Sequence, residues 1–556
     1  MRFSHAYDPT RSSNAEFFNL GNTGSAATPI IYEKTIFMGT DYGYHSYDPY
    51  RLSTRGFKFY ETNRPFFDFT FTPVGGQQNF VIKTDFARPF ADGMSLSLNY
   101  DRINQEGFYQ SQDVLHTNFG LGIRYQSPNN QRNIFFLFKN EIFTENHNGG
   151  INERSDFSDA FSDERMSLAI KMSGGATRFQ HRSYELFHMY KLKDSLDQNL
   201  GIQLESNLKL SSGYYKYADE SVSNEIEFYG EFYVDSRGLR NYLRFTRINT
   251  EHVLVGNILK GLKGKIGIDY THHRIDLEAE IQSKNDIFLL GQLDIPLSKS
   301  LDLNASSRIG LGSATGDFLI SGTSNITLPK ELVLQANISF YRNRHPLVGS
   351  VLYLNETLLW NNSLTKPFGS LIKAMIKFPF LKAQFGVKQS IENNTLFWNT
   401  SAQPELFSDV YSATVADLSF SFKLWKFNFD NYFAGQVFSE NLFHLPGYYS
   451  KNQVYWESSL FKRKMLLRIG AEGRLIGPHD RIDYNPVTAT FYQSEGQEDI
   501  YPFADAYIMA KVNEFRFFIR YENLNSHFDN RIFYQIGDYP QFDRKVRLGI
   551  KWQLAD

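Results

Sequence analysis

The 556-residue chain has no cysteine, which excludes a disulfide framework, thiol catalysis and thiolate metal sites. It has no run of the ~18 consecutive apolar residues that a membrane helix requires. Net charge is only −2, so nothing general in it attracts a polyanion, and no nucleic-acid partner is expected. Tryptophan is scarce at 5 residues, although 51 Phe and 33 Tyr bring the aromatics to 16%. Helical periodicity is almost wholly missing. No secretory hydrophobic segment follows Met1 and Arg2, so the expectation is a signal already removed or a true start lying upstream. No shift of composition marks a domain boundary.

What the sequence does have is alternation. In "EFRFFIRYEN" (514–523), Phe515, Phe517, Ile519 and Tyr521 share one face of an extended strand, and Arg516, Arg520 and Glu522 share the other. The pattern returns in "LGIQLESNLKL" (200–210), "LDLNASSRIGL" (301–311), "LKAQFGVKQ" (381–389), "DLSFSFKL" (417–424) and "KVRLGIKWQL" (545–554). On the order of 20 such segments occur, each near the ~10 residues that cross a bilayer at a tilt. Charged residues are 21% and mean hydropathy is −0.40, which fits hydrophobic residues interleaved with polar ones.

The connections alternate in length. Tight ones include "SPNNQ" (127–131), "KGLKG" (260–264), "PLSKS" (296–300), "LPKE" (328–331), "WK" (425–426), "KRK" (462–464) and "VNE" (512–514). Between them fall long polar or aromatic stretches, at about 145–178, 211–238 and 476–501, beyond the length of ordinary hairpin loops. Short turns at one end and long loops at the other are the plan of an outer-membrane barrel. Soluble sandwiches and propellers use strands about half as long, and no blade repeat is present. The predicted fold is therefore all-β: a single transmembrane antiparallel β-barrel of about 18–22 strands, with short periplasmic turns and long extracellular loops. Residues 1–65 form a periplasmic or lumenal lead-in, and 66–556 the barrel. The last strand, near 545–554, should pair with the first, near 66–74.

Several stretches resemble a known family. "NLGNTGSAATPIIY" (19–32), "YHSYDPY" (44–50) and "FYETNRPFFDFTFTPVGGQQNF" (59–80) are similar to the amino-terminal region of the "putative porin" family of Bacteroidota outer membranes. "YPFADAYIMAKVNEFRFFIRYENLN" (501–525) and "DYPQFDRKVRLGIKWQL" (538–554) resemble its carboxyl end, with looser likeness in "TLLWNNSL" (357–364) and "IENNTLFWN" (391–399). The resemblance implies a barrel in a bacterial outer membrane, in contact with lipid and lipopolysaccharide and with small hydrophilic solutes. It also implies a leader and extra leading residues that this sequence does not show. It names an architecture more than a solute.

Chemical constellations are few. In "THHR" (271–274) the adjacent histidines of a strand point to opposite faces and cannot chelate together. The carboxylates Asp156, Asp159 and Asp163 read either as a solvated loop or as oxygen ligands for calcium. No spacing supports a Ser–His hydrolase. The expectation is no catalytic residue, no cofactor and no metal: the chain is not read as an enzyme. Small residues in "LGNTGSAATP" (20–29) suit either a segment tucked into the periplasmic mouth or a flexible lead-in.

The expected lumen-lining residues are Arg308, Lys382, Lys388, Lys423, Arg468, Glu472, Arg516, Arg520, Arg547 and Lys551. Basic groups outnumber acidic ones among them, so an anion preference is expected unless acidic neighbours balance the field. The function expected is passive diffusion of small hydrophilic solutes through a porin-like channel. The alternative is a non-conducting barrel subunit in an outer-membrane secretion or nutrient-uptake complex, with envelope protein partners. An energised receptor fits less well, because about 65 residues precede the first strand and such designs fill the barrel with a plug of roughly a hundred or more.

Overall fold

A computed structural model describes the chain except for residues 1–6, 55, 74–78, 160–164, 194–200, 222–225, 230–237, 260–261, 299, 528–532, 543 and 556. Strands that alternate apolar and polar residues cannot be stable alone. Their backbone groups need neighbours on both sides, and in lipid only closure of the sheet supplies them. The structure closes it with 22 antiparallel strands, at the top of the expected range. Each strand pairs with its sequence neighbours in the barrel. The seam is made by Phe66–Pro73 and Lys545–Ala555, in register from Phe66 opposite Ala555 to Phe71 opposite Ile550. Val74, placed in the first strand by the sequence pattern, lies outside the described residues.

The faces follow the alternation. Phe515, Phe517 and Ile519 stand outward and are 44–49% exposed, while Arg520 and Glu522 on the opposite face are fully buried. Val546, Leu548 and Ile550 likewise face out beside them, with Arg547 inside. Large aromatics stand exposed near the short-turn rim, among them Phe90, Phe380, Trp425 and Phe461, where an interfacial girdle belongs. The tight turns need left-handed residues, and Trp425, Lys462 and Asn513 adopt φ values of 55°, 54° and 49°.

Two expected loops are more ordered than their composition suggests. Strand Ile202–Asp219 runs well past Ser211, because Gly213, Tyr215 and Tyr217 continue the inward set and the tyrosines bury fully. The stretch after Ile476 folds into a hairpin of its own, His479–Asn485 against Thr490–Glu498. Further hairpins of loop residues pair Val351–Leu354 with Thr357–Asn361 and Thr395–Trp398 with Pro404–Phe407.

Lumen-facing residues grade along the barrel axis. In strand Leu332–Arg342, Gln335 and Asn337 are half-buried, whereas Ser339 and Tyr341, nearer the long loops, are buried. Strand Tyr411–Leu424 repeats this in reverse chain direction, from buried Tyr411, Ala413 and Val415 to half-buried Asp417 and exposed Lys423. Along these two strands the lumen is more closely filled towards the long loops than towards the short turns. The face assignment has a direct check. Ile550→Arg should cost about 2–4 kcal/mol in equilibrium folding into bilayers if it lies near the midplane. Gln553→Arg, on the lumen face, should cost little. Equal losses at both positions would overturn the assignment.

Candidate functional site

The filling is the amino-terminal segment, residues 7–65. It has little regular structure: two 3₁₀ turns, Pro9–Arg11 and Asp48–Tyr50, and a small hairpin of Phe17–Asn19 with Ala27–Pro29. Such a backbone, once buried, must find partners outside itself. The barrel wall provides them. Glu145 accepts the N–H of Ala26 at 2.9 Å and the Tyr47 hydroxyl at 2.8 Å. Gln436 accepts from the Tyr32 N–H and donates to the Ile30 carbonyl. Asp286 accepts the Thr40 N–H at 2.7 Å, and Glu141 that of Leu52 at 2.8 Å. Asn118 donates to the Tyr50 carbonyl at 2.6 Å, and Lys139 to that of Leu52 at 2.7 Å. Tyr44 stacks on Tyr215 with centroids 4.0 Å apart. From Leu52 the segment descends the wall towards the short turns, where Tyr60 bonds Ser97 and Phe66 begins the barrel.

One side of this filling is held by charge. Arg11 reaches Glu522 at 2.6 Å, Asp505 at 2.7 Å and Glu472 at 3.4 Å. Arg520 bridges Glu472 and Asp505 from the wall, and Arg547 pairs with Glu522 at 3.1 Å. The Tyr7 hydroxyl donates to Glu522. Glu16 lies between Lys451 at 2.8 Å and Arg474 at 3.0 Å. All of these charged side chains are nearly or wholly buried. Burial alone would lift the Glu16 carboxyl, but Lys451, Arg474 and Arg11 outweigh it and hold its pKa at about 2.

The small residues of "LGNTGSAATP" sit within the lumen at its extracellular end. Gly24 has φ of +99°, and a Cβ there would meet Val114 at 2.6 Å. A Cβ on Gly21 would meet the Pro540 carbonyl at 2.6 Å. The stretch is thus packed between wall and loops, away from the periplasmic mouth. Loops knit over it: Arg154 reaches Glu498 and Asp538, each at 2.7 Å, and Lys171 reaches Asp538 at 2.5 Å.

Beside that cap lies a cavity of about 410 Å³. Its floor is the segment itself, from Pro29 to His45, and its walls come from loops around 343–367, 394–398, 442–445 and 482–493. Tyr32, Phe37, Trp398, Phe443, Phe491 and Tyr492 line it. Its ionic groups are paired. Lys34 binds Glu392 at 2.6 Å, and Arg344 binds Asp286 at 2.6 Å and Asp317 at 2.8 Å. His45 contacts Asp41 and Asp48 at 3.0 and 2.8 Å. Burial works against its charge, but the two carboxylates raise its pKa to about 10. A second cavity, about 190 Å³, lies towards the short turns and is lined by Ser12, Lys382, Asp430, Lys451 and Arg468 among others.

The residues expected to line an electropositive pore are therefore placed differently from one another. Arg308 pairs with Asp269, Arg468 with Glu457 at 2.7 Å, Arg520 with Glu472, Arg547 with Glu522, and Lys551 with Asp68 at 2.8 Å. Lys382 caps the turn Pro379–Leu381 in a left-handed conformation, and Lys423 is exposed near the turn at Trp425. Lys388 and Arg516 are half-buried on the lumen face. The paired charges neutralise one another instead of projecting a common field. Sequence reasoning missed Tyr7, Arg11, Glu16, Lys451, Asp505 and the loop residues of the cavity. His273 points inward to Tyr42 and Asp286, while His272 bonds Asn285 in a more exposed setting, so the pair does not chelate. Asp156 falls in the short helix Arg154–Asp159; Asp163 lies outside the described residues.

Closure, strand number and a filled lumen define the class: a large transmembrane barrel of the outer-membrane type, carrying its own internal segment. The chain belongs to the family described as "Putative porin", whose model matches residues 3–556. No curated protein sequence matches it. Among solved structures, it is similar to the copper transporter OprC, with a TM-score of 0.70 and 9% identity, covering 99% of this chain and 95% of that one. It is also similar to the FrpB iron transporter from Neisseria meningitidis (F3-3 variant), at TM-score 0.62 and 10% identity, over 89% and 82% of the two chains. The siderophore receptor PirA from Acinetobacter baumannii gives 0.63 and 10%, over 89% and 81%. At these identities the likeness shows the fold.

Glu16 provides a pH test. Its pKa is lower folded than free, about 4.3, so its contribution is complete above that value and is lost as pH falls through about 2. At pH 7 Glu16→Gln should cost on the order of 3 kcal/mol in urea unfolding. That difference from the native chain should shrink steadily below pH 4.5. A constant difference down to pH 2 would show that the carboxylate's charge is not what holds the segment.

Proposed function

We infer that this protein is a gated solute passage of the outer membrane: it binds a solute from outside in the 410 Å³ cavity and passes it when the amino-terminal segment moves. It carries out no covalent chemistry on that solute. The observation that carries the reading is position. The cavity floor is the same segment that fills the lumen towards the long loops, so a ligand there touches the obstruction directly. Barrels of 22 strands are wide enough that their lumen is plugged in outer-membrane transporters. The comparison structures named as copper and iron transporters are consistent with a barrel of this size serving uptake. Passive diffusion through a permanently open pore is less well supported, because Arg11, Glu16 and the hydrogen bonds to the wall hold the filling in place.

Planar-bilayer recording tests this. The native chain should show low or no steady conductance. Arg11→Gln combined with Glu16→Gln, which removes charge anchors from the segment without deleting it, should raise conductance or its open probability severalfold. Native chain that conducts steadily, with the variant no different, would return the reading to passive diffusion. A folded variant that stays closed would favour the non-conducting partner in a larger envelope complex.

A further inference from the structure

The lining of the extracellular cavity is specific enough to name a ligand class, on the footing that the cavity is the solute site just described. Three classes can be compared against the side chains. An anion needs an unneutralised cation, but Lys34 is bound by Glu392, Arg344 by Asp286 and Asp317, and His45 by Asp41 and Asp48. A cation would need a desolvated free carboxylate. Glu33, the remaining lining carboxylate, lies 4.0 Å from Lys373 and its side chain is 56% exposed, so it is neither free nor desolvated. A wholly apolar ligand would strand polar atoms. Asn394 and Gln493 are half-buried in the lining, where water reaches them, and an apolar ligand would strip that water without replacing its hydrogen bonds, which costs free energy.

What remains is a neutral ligand with hydrogen-bonding groups around its rim and apolar faces between them. The aromatic rings come from separate elements: Tyr32 and Phe37 from the floor, Trp398 from one loop hairpin, Phe443 from a second loop, Phe491 and Tyr492 from another hairpin. They therefore present flat surfaces from several directions. The polar groups likewise come from different walls, with Asn394 on one loop and Gln493 on another. A pyranose ring matches this arrangement, because its C–H bonds form apolar faces and its hydroxyls ring the edge. A nucleoside base, in contrast, concentrates its hydrogen bonds on one edge. The volume lies within the range of small-ligand sites and suits a short saccharide, not a long chain.

We propose that the cavity binds a neutral oligosaccharide, with Trp398 as a stacking platform and Asn394 and Gln493 as hydrogen-bonding partners. The ligand would rest on Tyr32, so its binding is coupled to the segment that must move.

The test is calorimetric titration of the purified full chain in micelles with a panel of neutral di- and trisaccharides of differing linkage. Adenosine, the zwitterionic dipeptide Gly-Tyr and glucuronic acid serve as comparison ligands. At least one neutral saccharide should bind more tightly than all three. Trp398→Ala should weaken it roughly ten-fold, and Gln493→Ala should weaken it as well. Trp425→Ala, at the opposite rim, should leave it unchanged. No binding by any member of the panel, tighter binding of a comparison ligand, or equal effects of Trp398→Ala and Trp425→Ala would each overturn the proposal. Conductance of the Arg11→Gln, Glu16→Gln variant is read without ligand. It can therefore stand while the saccharide assignment fails, or fail independently.

Discussion

Irregular backbone buried in a barrel has to be hydrogen-bonded by something, and here the wall is what bonds it. Residues 7–65 form almost no ladder of their own, so their N–H and C=O groups depend on side chains such as Glu145, Gln436, Asp286, Glu141 and Asn118. This explains why the inner faces of the strands carry so many charged and amide residues. The outward faces answer to lipid and the inward faces to the segment, and a strand such as Phe515–Glu522 serves both at once.

The anchoring is uneven around the circumference. Towards strands Tyr448–Leu460 to Lys545–Ala555, the segment is held by a buried network in which Arg11 and Glu16 each meet opposite charges. Removing one member of such a network leaves partners charged and unpaired, so it resists small displacements. On the side of strands Ile281–Ser298 and Ala383–Glu392 the contacts include Lys34 with Glu392 and Thr40 with Asp286. The cavity stands over that second side. The stretch of the segment under the cavity is held by separate ion pairs, hydrogen bonds and aromatic contacts, in contrast to the cluster of charges around Arg11 and Glu16. Below that side, inward residues such as Gln335, Asn337 and Asp417 are only half-buried.

The barrel was legible in the sequence because its determinants are local. A period of two, a greasy stripe such as Val546, Leu548 and Ile550, and a tight turn such as "WK" each declare themselves within a dozen residues. The contents of the lumen were not legible. Tyr7 meets Glu522 across 515 positions of chain, and no periodicity links them. The sequence left open whether lumen arginines project a common field or are balanced by acidic neighbours, because partners such as Arg308 and Asp269 lie far apart in the chain. A partial signal was available: Arg520 and Glu522, or Glu472 and Arg474, place opposite charges two residues apart on one inward face, which favours internal pairing. The cavity had no such signal, since its lining is assembled from four loops and the segment.

The absence of cysteine permits a clean measurement of whether the lumen is filled as described. A single Ala26→Cys, at a position fully buried between Glu145 and the segment hairpin, can be challenged with a small water-soluble maleimide in the folded protein. A single Ser401→Cys in an exposed extracellular loop serves as the reference. The position-26 thiol should react far more slowly than the reference, and Arg11→Gln should accelerate it. Labelling at position 26 as fast as at 401 in the otherwise native chain would contradict the account.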